Sequence, residues 1–163
     1  MKRVLSVFAV LAFASIAAAL CVFGQSKTAD GGKGNQMKSN TIKLSIKGGR
    51  TFTATLADNS SAHALAELLA AGDVSVEMKD YARMEKVGPL GRSLPRNDEP
   101  VSAGPGDLIL YQGNQFVIYY GSNSWNFTRL GKIDNATGGE LLSALGDGDV
   151  TVTLSLNNRK DAL

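Results

Sequence analysis

Cysteine, histidine and tryptophan each occur once in the 163 residues, as Cys21, His63 and Trp125. A single cysteine excludes an intramolecular disulfide and any metal site built from cysteines. One histidine excludes a histidine pair. His63 and Glu67 share a helix face but lack a third ligand, so a solvated face is expected and no metal. No cofactor is expected either. Charge of one sign is also missing. Lys2 and Arg3 account for the net charge of +2, since the rest of the 17 basic residues number 15 against 15 acidic ones. With no basic stripe or cluster, nucleic acid is not an expected partner.

What is present begins with MKRVLSVFAVLAFASIAAALCVFG. A basic start, an apolar centre and small residues near the end are the layout of an export signal over residues 1–24. Cleavage after Ala19 and after Gly24 both fit. The run Val4–Phe23 is also about long enough for an uncleaved anchor, since about 20 helical residues span a bilayer. Either reading places the remainder outside the cytoplasm, periplasmic or extracellular, with membrane contact only through this segment. Cys21 is a lipidation candidate, but Leu20 before it is a poor match, and a small apolar residue within the signal is the simpler reading.

Residues 25–40, QSKTADGGKGNQMKSN, have no apolar period and read as a flexible tether. A domain over residues 41–157 follows, and residues 158–163 are expected to fray. Ile42, Leu44 and Ile46, then Phe52, Ala54 and Leu56, alternate with polar residues on either side of Lys47-Gly48-Gly49, which predicts a hairpin. Asp58-Asn59-Ser60-Ser61 offers N-caps for a helix carrying Leu65, Leu68 and Leu69, with Gly72 at its end. Val74, Val76 and Met78 predict a strand. Lys79–Gly106 carries so much Gly and Pro that long regular elements are not expected. Leu108–Tyr111 and Phe116–Tyr120 flank Gln112-Gly113-Asn114 as a second hairpin. A short helix follows from Gly138-Gly139 through Leu145, and a last strand carries Val150, Val152, Leu154 and Leu156. Strands dominate, and the class is mainly β: two sheets or a closed barrel, capped by helices.

Within this order, MKDYARMEKVGPLGRSLPRND, PGDLILYQGNQFVIYYG and FTRLGKI together resemble the bacterial cyclophilin-like domain family. The resemblance covers about Ile42–Leu156. Its most specific pieces are Asp80-Tyr81 with Glu85-Lys86, Ser93-Leu94-Pro95, Pro105-Gly106-Asp107 and Thr128-Arg129-Leu130-Gly131. It implies a small cyclophilin-like β-barrel with one or two capping helices. It does not imply proline isomerisation, because the arginine, phenylalanine, glutamine, histidine and tryptophan that form the cyclophilin groove have no evident counterpart set here.

The candidate site residues follow from chemistry. An isomerase needs a fixed donor for the prolyl nitrogen and an apolar seat for the ring. Arg129, Arg83 and Arg92 are donor candidates, and Trp125, Phe116, Tyr81 and Tyr111 are walls. Arg129 has a plainer role open to it, pairing with a carboxylate such as Glu85. In QFVIYYGSNSWNFTRLGK, Val117 and Tyr119 face one side of the strand, and Phe116, Ile118 and Tyr120 the other. Asn123 beside Trp125 suits the lip of a groove, or a turn bonding its own backbone. Glu85 and Tyr120 complete the ligand-binding candidates. Asp80 and Glu85 are expected to form a surface charge cluster rather than a catalytic carboxylate pair. The expected function is an exported binding module for a peptide segment or small ligand. The alternatives are a cell-envelope peptidyl-prolyl isomerase and an accessory domain packed on another envelope protein.

Overall fold

The structure is a computed structural model that describes residues 40–157. The segment expected to direct export, Cys21, the expected tether up to residue 39 and residues 158–163 lie outside the described residues. Among those described, nine strands and two helices run in the order β1 (Thr41–Ile46), β2 (Thr51–Leu56), α1 (Ser60–Ala71), β3 (Val74–Tyr81), β4 (Glu85–Pro89), β5 (Glu99–Ala103), β6 (Asp107–Tyr111), β7 (Gln115–Tyr119), β8 (Asn123–Ile133), α2 (Gly138–Leu145) and β9 (Val150–Leu156).

Eight of the strands form a closed antiparallel barrel in the order β2-β1-β9-β3-β4-β7-β6-β8, with β8 returning to β2. Closure happens where Ala54, Thr55 and Leu56 pair with Ile133, Lys132 and Gly131. It needs a residue without a side chain: a Cβ on Gly131 would lie 2.4 Å from the Thr55 carbonyl oxygen. The alternation seen in the sequence sorts the strands into faces. Ile42, Leu44, Leu108, Leu110, Phe116, Ile118, Val152 and Leu154 turn inward and fill the barrel.

The helices close the barrel for local reasons. Asn59 caps α1, its side-chain oxygen accepting from Ala62 N at 2.9 Å, and Leu65 and Leu69 plug the core. In α2, Thr137 and Glu140 form a capping box, and Leu141 and Leu145 face inward.

The segment expected to be irregular corrects that expectation in part. Residues 79–106 hold the end of β3 and all of β4 and β5. The turn joining β3 to β4 uses Ala82 and Arg83 at φ 52° and 53°, left-handed positions usually taken by Gly or Asn, which is why its residues do not announce a hairpin. The loop before β5 is held by side chains. Asn97 Nδ2 donates to Ser61 Oγ at 2.6 Å, and Thr128 Oγ1 donates to Asp98 Oδ1 at 2.6 Å.

β5 is not part of the closed wall. It pairs with the first half of β8 alone, from Glu99↔Phe127 to Ala103↔Asn123. The long β8 thus leaves the barrel with its N-terminal half and forms a ribbon with β5. A second apolar cluster lies on the outer face of the wall beside this ribbon: Val101, Ala103, Ile109, Val117, Tyr119 and Phe127.

Candidate functional site

The outer cluster is only partly covered, and its uncovered part is a groove of about 310 Å³. Val87 of β4, Val117 of β7 and Phe127 from the ribbon half of β8 make its apolar floor. Tyr119 belongs to the same face and is 1% exposed, tilted against Phe127 with ring centres 6.0 Å apart. The rim is aromatic. Tyr111 meets Phe127 edge-on at 6.3 Å, and Tyr81 and Trp125 stand 61% and 65% exposed. Exposed rings around an apolar floor are what a ligand groove offers, because ring faces wait there for a partner.

Two polar side chains enter this surface. Asn123, the first residue of β8, donates to the Tyr119 hydroxyl at 3.3 Å, while its own oxygen accepts from Ser124 N at 2.8 Å. Glu85 opens β4 and is paired in register with Tyr81 on one side and Tyr119 on the other. It is buried, the Tyr119 hydroxyl bonds its carboxyl group, and its Oε2 has no hydrogen-bond partner. Burial pushes the Glu85 carboxyl above the usual carboxylate range, against the lowering effect of the Tyr119 bond. Burial and the adjoining carboxyl also push the Tyr119 hydroxyl up, so it stays a protonated donor.

Asp80 and Glu85 therefore do not form the surface charge cluster expected from their spacing. Strand alternation separates them. Asp80 turns into the barrel mouth, where Lys86, fully buried, reaches its Oδ1 at 2.7 Å and the Gly148 carbonyl at 2.8 Å. The Tyr120 hydroxyl donates to the same Asp80 oxygen at 2.5 Å. Lys86 and Tyr120 together hold the Asp80 carboxyl below its ordinary range. Burial and Asp80 raise Tyr120 to about 12. Glu85 alone faces the groove.

The structure brings together Tyr81, Glu85, Tyr111, Asn123 and Trp125 at the groove, and places the other candidates elsewhere. Phe116 is fully buried inside the barrel, and Tyr120 points inward to Asp80, because both occupy the inward positions of their strand. Arg92 lies exposed in the loop after β4. Arg129 turns to the buried Asp107, 3.5 Å away, which also takes Lys132 at 3.1 Å. No arginine or lysine lines the groove. His63 pairs with Asp58 at 3.0 Å on the solvated side of α1. Among the described residues no group of side chains is arranged to hold a metal ion.

Sequence reasoning missed the floor. Val87 gives no signal in its Gly- and Pro-rich surroundings, and Phe127 was not distinguished from core. The alternation of Val117 and Tyr119 did separate them from Phe116, but not which side carries a groove. A second, more open hollow of about 400 Å³ lies along the β5–β8 ribbon between Pro100, Ser102, Trp125 and Asn126. No ionisable side chain lines it, whereas the groove around Glu85 holds a buried carboxyl group.

No curated protein matches this sequence. Among solved structures, the chain is similar to McbB, solved in complex with tryptophan, with a TM-score of 0.55 and 16% identity. The likeness covers 75% of this chain and 46% of McbB, so the chain spans less than half the length of that protein. At this identity the shared property is the fold. The model of the Cyclophilin-like family matches residues 45–155, which run from β1 to β9 and include the groove; the chain belongs to the Cyclophilin-like family.

Proposed function

We propose that this protein is an exported binding module that holds a peptide segment or a small ligand, through an apolar body, in the groove on the outer face of its barrel, without turning it over. The observation that carries this reading is the ring of exposed aromatics, Tyr81, Tyr111 and Trp125, standing around the floor of Val87, Val117 and Phe127. Rings left in water beside an apolar floor gain from a partner that covers both. Tyr119 and Asn123 supply a fixed polar edge that orients what lies there.

The groove's chemistry favours holding over turnover. Isomerisation of a prolyl bond calls for a donor aimed at the prolyl nitrogen. Arg129, the residue suited to that task, is engaged with Asp107, and no guanidinium lines the groove. Export rests on the segment MKRVLSVFAVLAFASIAAALCVFG, and a tether of residues 25–40 would let the barrel reach partners at the cell envelope.

The test uses Trp125, the single tryptophan, as reporter. Titration with a degenerate peptide library and with a metabolite extract is expected to shift its emission saturably. Trp125→Ala and Phe127→Ala should each abolish binding measured by calorimetry. A reporter indifferent to every pool, with the folded state verified, overturns the reading. A secretion assay on a fusion of residues 1–40 tests export separately.

A further inference from the structure

Glu85 is costly as it stands. A carboxyl oxygen removed from water and given no donor loses its hydration without recompense. Its other neighbours do not relieve it. Tyr119 bonds the carboxyl group through its one hydroxyl proton, Asn123 spends its amide on Tyr119, and Lys86, next in sequence, points the opposite way to Asp80. The groove lining holds no cation, so Glu85 is the single carboxylate in an otherwise neutral, aromatic surface.

That combination has a definite chemical complement. Aromatic faces attract cations within about 6 Å through their quadrupoles, and more strongly when water is excluded. A buried carboxylate accepting from a protonated nitrogen makes a charge-assisted bond, about twice as strong as a neutral one. Tyr81 and Trp125 present their rings to solvent, and Tyr111 presents part of its own. We propose that the groove selects organic cations: a ligand whose protonated nitrogen donates to Glu85 Oε2 while its apolar or aromatic body lies on Val117 and Phe127, beneath Tyr111 and Trp125. The inference rests on the groove being a ligand site, and it names the class of ligand.

Tyr81 is the access point. It is the exposed cross-strand neighbour of Glu85, and exposed side chains change rotamer on the picosecond-to-nanosecond scale, so in this proposal reaching the buried Oε2 involves movement of this ring. The groups facing Glu85 are few. From β3 they are Tyr81 and, two residues back on the same face, the exposed Lys79. From β7 there is Tyr119 and from β8 the neutral Asn123, while Arg83 in the turn lies near Asp80 and Tyr120 on the other face. Lys79 and Arg83 lie outside the lining and so do not occupy the position of the ligand cation.

Three probes sharing one ring and differing in charge provide the test: phenethylamine, 2-phenylethanol and phenylacetate, each titrated into the native domain. Phenethylamine is expected to bind about tenfold or more tighter than phenylacetate at neutral pH. Acidification that protonates Glu85 should weaken the amine and leave 2-phenylethanol unchanged. In Glu85→Gln the amine preference should collapse while 2-phenylethanol still binds. If that variant fails to fold, the charge series and its pH profile on the native protein decide alone. Equal affinity for amine and acid, or a preference that survives in folded Glu85→Gln, overturns the cation inference but leaves the groove standing as a neutral ligand site. Failure of all three probes overturns the inference, and the library titration with Trp125 then decides whether the groove binds anything.

Discussion

Glu85 and Tyr119 stand opposite each other across the β4–β7 ladder, the tyrosine bonding the carboxyl group of Glu85 while its Oε2 has no protein group to bond. This pair sets the character of the groove: a polar point fixed in position, surrounded by rings, and short of one protein donor.

Stability should carry the signature of that shortage. Because Glu85 has its carboxyl raised in the folded state, its contribution is fully present below the unfolded carboxylate value of about 4.3 and is lost as pH rises through the raised folded value. Denaturant unfolding of the native protein across this range should show a decline that Glu85→Gln removes. A decline of the same size in the variant would assign it to other groups.

Asp80 predicts the opposite slope. Its carboxyl is lowered by Lys86 and Tyr120, so its stabilisation is present above the unfolded value of about 3.9 and is lost as pH falls through the folded value. Asp80→Asn strands the fully buried Lys86 and is expected to cost about 3–5 kcal/mol at neutral pH. Adding Lys86→Met should return most of that loss, since an apolar side chain suits the barrel interior. Urea unfolding of the single and double variants reads both effects.

Closure of the barrel should tolerate no side chain at Gly131. Gly131→Ala forces a Cβ against the Thr55 carbonyl, and a cost of about 1–3 kcal/mol is expected from the resulting backbone shift. Gly139→Ala, where a Cβ meets open space, serves as the control. Thermal unfolding should separate the two clearly.

The β3–β4 turn offers a gain instead. Arg83 holds a left-handed backbone at φ 53°, at a cost of roughly 1–2 kcal/mol for a residue with a Cβ. Glycine removes that cost and adds about 0.5–1 kcal/mol of chain entropy. Arg83→Gly is thus expected to stabilise the fold by about 0.5–1 kcal/mol in urea unfolding. Because the turn aims Tyr81 and Glu85, ligand affinity should be retained.

Much of the barrel was written in short-range pattern. The two-residue alternation in Ile42–Ile46, Phe52–Leu56 and Val150–Leu156 identifies strands because burial on one face demands it. Asn59 and Gly72 bound α1 for equally local reasons. The same pattern separated Val117 and Tyr119 from Phe116, Ile118 and Tyr120, while the amide and hydroxyl run beside Trp125 suggested a groove lip or a turn at Asn123. Alternation cannot say which face of a doubly apolar strand is the barrel interior. That depends on which strands lie beside it, and Phe116 and Tyr120 turned out to be the inward set. The burial of Glu85 was equally beyond local reading. It arises because β4, short and ending in Gly88-Pro89, is clasped between β3 and β7, so a charged residue in a polar-looking stretch lies between Tyr81 and Tyr119. Periodicity belongs to the chain and is visible in it. Desolvation belongs to neighbours that distant segments supply, and those exist only once the sheet has closed.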